Sequence, residues 1–202
     1  DKVQDLLKKS GISIATGASL DLNNCLPENF NLETDMVVFA IGTEPNTKWL
    51  SNSGLNFKNG AIVVNESFQT NLEYIYAAGD CCAVKDIQTD ELTKSTMWPD
   101  AVIQGMMAAS AICGKKVVYP GIFKFLTTKI EDTKISSCGI IKAGMGKKLV
   151  NVVKDNFNYC SYQLDDNNKL IGFFAIGDVK NLGKIKKAIL AKEEIEDINN
   201  LI

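Results

Sequence analysis

The sequence predicts an α/β fold in which part of a doubly wound, largely parallel sheet is followed by a small α+β domain. Residues 34–42, TDMVVFAIG, form a nearly continuous apolar run, the pattern of a strand covered on both faces. Residues 73–80, EYIYAAGD, form a second apolar run, which ends in Gly-Asp and leads through a polar connection to a well-marked helix. Beyond residue 118 the pattern changes to short β-rich segments closed by a final helix.

In chain order, residues 2–9 (KVQDLLKK) place Val3, Leu6 and Leu7 on one face, with lysines in the last turn and a left-handed stop at Ser10-Gly11. ISIAT then reads as a short strand, the second half of a strand–helix–strand unit. After the apolar run, TEPNTKWL breaks the pattern with Pro45 and the turn-forming Asn46. GAIVVN (60–65) is a strand entered from the Asn59-Gly60 turn, 73–80 is another strand, and 83–95 is a polar connection. Trp98-Pro99-Asp100 opens a helix with Pro in its first turn, and Gly114 follows its last apolar residue. Ala101, Gly105 and Ala108 fall near one face, which fits either tight packing on a sheet or close approach of another group. FKFLTTKI, KISSCGII, KLVNVV, NYCSYQL and KLIGFFAI read as five strands, rich in β-branched and aromatic residues, with LDDNNKL as the hairpin loop between the last two. Residues 181–200 finish as helix, with Leu182, Ile185 and Ile189 facing inward and 193–197 exposed. The boundary between the two units falls near residues 115–120.

Composition narrows the chemistry. With 202 residues and a net charge of −2, nothing points to nucleic acid or an anionic membrane as partner. The longest apolar runs are too short to span a bilayer, and residue 1 opens a charged, helix-like segment rather than a signal-peptide pattern. Histidine and arginine are both absent, so every cationic side chain is a lysine. An imidazole base, a histidine metal ligand and a bidentate guanidinium fork are therefore excluded within these residues. The six cysteines (Cys25, Cys81, Cys82, Cys113, Cys138 and Cys160) have no C-x-x-C spacing and read as reduced thiols of a cytoplasmic protein, with no metal site. The adjacent Cys81 and Cys82 admit a strained vicinal disulfide, although neighbouring side chains on extended backbone point apart.

Two apolar runs end in Gly-Asp, at Gly79-Asp80 and Gly177-Asp178. A strand that delivers Gly-Asp towards a helix start is a ligand geometry: Gly admits close approach, Asp accepts hydrogen bonds from hydroxyls, and helix N–H groups favour electron-rich oxygens. Alone, each copy is an ordinary turn or cap. Context separates them, because only the first sits in the ordered set D-x-V-V-F-A-I-G-x-x-P-N, G-x-I-x-V and T-x-x-x-x-I-Y-A-A-G-D, while Asp178 reads as a turn or N-cap residue before the last helix.

That set, spanning residues 35–80, resembles the FAD-dependent pyridine nucleotide-disulfide oxidoreductases. The resemblance implies that Asp80 holds the ribityl chain of FAD, with Gly79 allowing close approach and Cys81 adjacent. It implies that Gly42 to Asn46, including Pro45, is the crossing from the NAD(P)H domain back to the FAD domain. The helix opening Trp98-Pro99-Asp100-Ala101, continuing to Gln104-Gly105, resembles the one whose N-terminus faces the flavin pyrimidine edge and stabilises negative charge there. Residues 1–43 would then end the NAD(P)H-binding domain, 44–117 return the FAD-binding domain, and 118–202 form a C-terminal α+β interface domain.

Departures from the family pattern refine this. A Gly-rich FAD loop and a G-x-G-x-x-G are both missing, and GMGKK at 144–148 lacks the third glycine and the strand-to-helix context. The chain thus reads as the C-terminal half of such an enzyme and is expected to hold FAD weakly or not at all by itself. Without histidine it cannot carry the His–Glu pair of glutathione and lipoamide reductases, and its C-terminal domain is larger than low-molecular-weight thioredoxin reductases have. The remaining resemblance is to NADH oxidases and peroxidases, NADH:rubredoxin reductases and the flavin part of NADH-dependent nitrite reductases, the last two most of all. It implies an enzyme passing hydride from NAD(P)H to flavin and electrons onward to a rubredoxin-, nitrite- or oxygen-linked acceptor. No residue in the chain is assigned as a chemical acid, base or nucleophile. The alternative is a non-catalytic module that docks an electron-carrier protein or a second subunit through residues 118–202.

Overall fold

The computed structural model describes residues 2–17, 35–141, 148–153, 158–178 and 181–198. Cys25, most of the GMGKK segment and the last residues of the expected C-terminal helix lie outside them.

Helix α1 spans Lys2–Lys9 and ends as its sequence predicts: Gly11, at φ +80, donates its N–H to the Lys8 carbonyl. The next two expectations are corrected. ISIAT is irregular rather than a strand, and the apolar run at 35–42 forms no strand and joins neither sheet, leaving Val38 77% and Ile41 74% exposed. A parallel strand draws its stability from neighbours distant in sequence, and this segment is paired with neither sheet.

The first sheet has the order β1-β2-β3-β4, from Phe57–Lys58, Ala61–Val63, Cys82–Lys85 and Leu92–Lys94. Asn59 (φ +50) and Gly60 (φ +78) make the tight turn between β1 and β2, both left-handed as such a hairpin requires. Strand β2 runs parallel to β3, pairing Ile62 with Cys82, and β3 runs antiparallel to β4. The expected strand at 73–80 is reduced to a single antiparallel bridge between Tyr76 and Gln69: Tyr74 is at φ +65 in a turn, and continuous pairing begins only after Gly-Asp, at Cys82. The expected polar connection at 83–95 contains two strands, joined by a turn in which the Asp86 carboxylate accepts the Gln88 and Thr89 N–H groups and Asp90 sits at φ +60.

Helix α2, Trp98–Ile112, has Pro99 at its start and Gly114 (φ +78) past its end. Its buried face carries Gln104 and Ala108 rather than the expected Ala101, Gly105 and Ala108; Gly105 faces open space, and Trp98 is 79% exposed. The first core gathers Ile62, Val64, Phe68, Cys82, Val84, Ala108, Tyr119 and Ile122. Fully burying Phe68, whose ring lies 5.0 Å from that of Tyr119, contributes roughly 2–3 kcal/mol.

The five strands expected after residue 118 are present as β5 (Phe125–Ile130), β6 (Thr133–Gly139), β7 (Lys148–Val153), β8 (Tyr159–Leu164) and β9 (Leu170–Ile176). All pairs are antiparallel, in the order β5-β6-β9-β8-β7. Helix α3, Leu182–Ala191, presses Ile185, Ala188 and Ile189 onto Tyr162, Leu164, Leu170 and Phe173. It is shorter than expected, because Lys192 turns left-handed (φ +53) and the chain runs back so that Glu194 pairs with Lys169. Asp178 is not its cap; Asn181 occupies that position, while Asp178 pairs with Lys134 at 3.6 Å.

The two sheets meet along the β3–β4 turn. Buried Asp86 pairs with Ile122, and its Oδ2 lies 3.3 Å from Lys124 Nζ, while the Gln88 amide donates to the Ile171 carbonyl at 2.8 Å.

Candidate functional site

The apolar sequence YAA ends against helix α2, and this local geometry builds the site. Ala78 is extended, and the chain then makes a short 3-10 turn over Gly79–Cys81. Gly79 takes φ +80, which a side chain would strain, and it packs against α2, where an added Cβ would lie 3.6 Å from that of Ala101. The turn leaves Asp80 exposed while Gly79 and Cys82 are buried.

Asp80 opens onto a cleft of about 770 Å³ lined by Ile41, Gly42, Thr43, Glu44, Asp80, Lys94 and Thr96. Three separate segments supply these walls: the linker after the apolar run, the Gly-Asp turn, and the end of β4 leading into α2. Lys94 ties two of them together by donating its ammonium to the Thr43 carbonyl. The cleft thus has an anionic side at Asp80 and Glu44 and a cation at Lys94, with glycine at Gly42 (φ +96) and open space where its Cβ would be.

Of the residues singled out from the sequence, Gly42 and Asp80 line this cleft, and Gly79 and Ala101 pack behind it. Asp100 lies in the first turn of α2, where its Oδ2 accepts the buried Ser95 hydroxyl at 2.5 Å, beside exposed Pro99. Pro45 is turned away and packs towards Gly60, beneath Thr47, whose hydroxyl donates to the Gly60 carbonyl. Cys81 is half-buried with its thiol directed at the Ala78 carbonyl, 3.4 Å away. Cys81 and Cys82 are free thiols, not a vicinal disulfide. Burial and, after it, the neighbouring Cys81 push the Cys82 thiol up to about 12, so it is a neutral hydrogen-bond donor and not a nucleophile.

Sequence reasoning missed Lys94, which falls in the expected polar connection at 83–95, and gave no role to Thr96 or Gln104. The missed signal for Gln104 is a lone amide on the face of α2 that otherwise packs inward.

The family model for pyridine nucleotide-disulphide oxidoreductases matches residues 1–109. The chain belongs to the pyridine nucleotide-disulphide oxidoreductases. It is 30% identical over 158 residues to an NADH oxidase of Methanocaldococcus jannaschii, covering 75% of this chain and 35% of that protein. It is 26% identical over 200 residues to the NADH-rubredoxin oxidoreductase of Clostridium acetobutylicum, covering 98% of this chain and 49% of that protein. The solved NAD-dependent persulfide reductase of A. fulgidus superposes with a TM-score of 0.83 over 100% of this chain and 42% of its own, at 24% identity, a likeness of fold. The chain spans between a third and a half of the length of these curated relatives. No helix among the described residues is long and apolar enough to cross a membrane.

Proposed function

We propose that this chain is the C-terminal part of an FAD-dependent NAD(P)H oxidoreductase of a reducing, cytoplasmic compartment, and that the cleft at Asp80 receives the ribityl and flavin end of FAD. In this reading residues 1–43 complete an NAD(P)H-binding domain, 44–117 return the FAD-binding domain and 118–202 form the interface domain. The observation that carries the proposal is the convergence of the 41–44 linker, the Gly-Asp turn and the entry to α2 on one cleft.

The residues present fit the group. The side-chain-free Gly42 leaves backbone accessible, the left-handed Gly79 lets the turn pack closely on α2, and Asp80 offers an exposed carboxylate to ribityl hydroxyls. The start of α2 presents its positive end, with Pro99 in the first turn, as a site for electron-rich oxygen. Lys94 adds a positive charge on the cleft wall. When bound, FAD supplies the acceptance of hydride from the nicotinamide and the onward release of electrons. Gly42, Gly79, Asp80, Cys81, Asp100 and Ala101 serve binding and electrostatics in this account, and none of them moves a proton; Pro45 and Pro99 fix the backbone on either side. The acceptor is carried by a rubredoxin-, nitrite- or oxygen-linked partner, in keeping with relatives named for NADH oxidation and rubredoxin reduction.

Asp80→Asn tests the assignment in the longest native gene product that contains these residues. The substitution removes the charge from hydrogen bonds worth about 1.5–3 kcal/mol together, so FAD should bind about tenfold or more weakly by fluorescence titration. Unchanged affinity would sink it.

A second reading, a docking or dimerisation module, has its own observation. Lys2, Ile141, Leu149, Tyr159, Phe174 and Ile176 line a cleft of about 510 Å³ on the outer face of the second sheet. Capture of a rubredoxin-like carrier without any flavin present would favour it.

A further inference from the structure

Gln104 is fully buried (0% exposed) in the middle of α2, on a face that otherwise packs into an apolar core. Burying an amide is unfavourable unless it makes hydrogen bonds that an apolar side chain of the same size cannot. Its Oε1 accepts the Gly79 N–H at 2.8 Å and lies 3.3 Å from the Cys82 thiol. On the other side of the same glycine, the Cys82 thiol and the Cys82 backbone N–H both reach the Gly79 carbonyl, the thiol at 3.2 Å. The Nε2 of Gln104 finds no acceptor of standard geometry among the described residues, while the Tyr119 hydroxyl faces the same carboxamide.

Gln104 thus clamps the peptide that precedes Asp80 to the helix whose first turn opens beside the cleft. Gly79 has no side chain of its own to resist rotation and holds a left-handed φ of +80. The side-chain acceptor of its N–H is on α2, twenty-five residues along the chain.

We infer that Gln104 is a positioning residue for FAD, fixing the Asp80 carboxylate relative to the N-terminus of α2 so that one cofactor meets both. This rests on the FAD reading of the cleft given above. Gln104 does not itself line the cleft; it acts through Gly79 and Asp80.

The test uses the FAD-loaded enzyme and three variants at this position beside Asp80→Asn. Gln104→Leu keeps the bulk and removes the acceptor; Gln104→Asn keeps the amide but withdraws it by one methylene; Gln104→Glu retains an acceptor at full length. FAD affinity by fluorescence titration, the shape of the visible flavin spectrum and the midpoint potential of the bound flavin are read together with apoprotein melting. The expected result is a loss of affinity of about tenfold for Leu and for Asn, with a shifted potential, and recovery to within a few-fold for Glu. If Leu does not fold, Asn decides the matter in the same way. Folded Leu or Asn variants with wild-type FAD affinity, spectrum and potential would overturn the inference, whatever their melting temperature. Weakened FAD in Asp80→Asn alongside that outcome would leave the cleft assignment standing and remove only Gln104. Unchanged FAD in Asp80→Asn would overturn both.

Discussion

At residue scale, the clearest mismatch between residue type and position is the set of buried ionisable groups that serve as neutral packing. Burial and the adjacent Cys81 hold the Cys82 thiol up at about 12, and burial raises Cys138 to about 11; Tyr162 shifts upward for the same reason. An unfolded chain releases these thiol protons from about pH 9, whereas the folded chain keeps them, so the unfolded state binds fewer protons above that pH. Stability should therefore be fully present below about pH 9 and fall as pH climbs towards the folded values, by up to about 1.4 kcal/mol per pH unit per thiol. Urea midpoints measured across that window check the sign; a flat profile would contradict the burial account. Alkylation at neutral pH should label exposed Cys113 and spare Cys82 until the chain unfolds. Gly172 shows a different residue-scale constraint: a Cβ there would sit 1.6 Å from the Ile140 carbonyl oxygen, so the close pass of strands β9 and β6 requires glycine. None of this was legible from composition, because a cysteine or an amide in the sequence carries no mark of its burial. The Gly79-Asp80 pair stood out in the sequence, but as a strand end rather than the short 3-10 turn it forms.

At element scale, legibility followed the range of the interactions. The five strands β5 to β9 and the loop before β9 read directly, because three of the four antiparallel pairs join strands consecutive in the chain, only β6–β9 reaching across two others, and the β5–β6 and β8–β9 turns carry Asp or Asn. Helix α2 read directly because Pro99 and Gly114 bracket it. The 35–42 run misled, since its pattern describes a strand whose neighbours lie far off in sequence, and the 73–80 run misled because its pairing is a single bridge at Tyr76 while only Ala77 and Ala78 pack against the core. The hidden β3–β4 hairpin is held by one buried acid. Asp86, 4% exposed, accepts two backbone N–H groups and faces Lys124, in a turn that also sends Gln88 across to Ile171. Asp86→Ala strands those donors, and we expect a loss of about 1–3 kcal/mol in a urea melt. Asp86→Asn, which keeps one acceptor oxygen, should lose less. Equal stability in both variants would show that the turn is held by backbone alone.

At the scale of the molecule, two cores of different construction are joined by that turn, one of mixed parallel pairing behind the cleft and one antiparallel sheet under α3. The fold class and the family were legible in the sequence because a spaced set of weak signals, each ambiguous alone, occurs in one order. The cleft itself was only half legible: Gly42 and Asp80 were named from sequence, whereas Lys94 and Thr96 enter it at and just beyond the end of a hairpin that no periodicity announced. The measurement that tests the account most directly is an anaerobic titration of the longest native gene product containing these residues with NADH and then NADPH, followed in the visible flavin band. The account predicts bound FAD that one or both nucleotides bleach. A preparation with no flavin, or with flavin that neither nucleotide reduces, would contradict it.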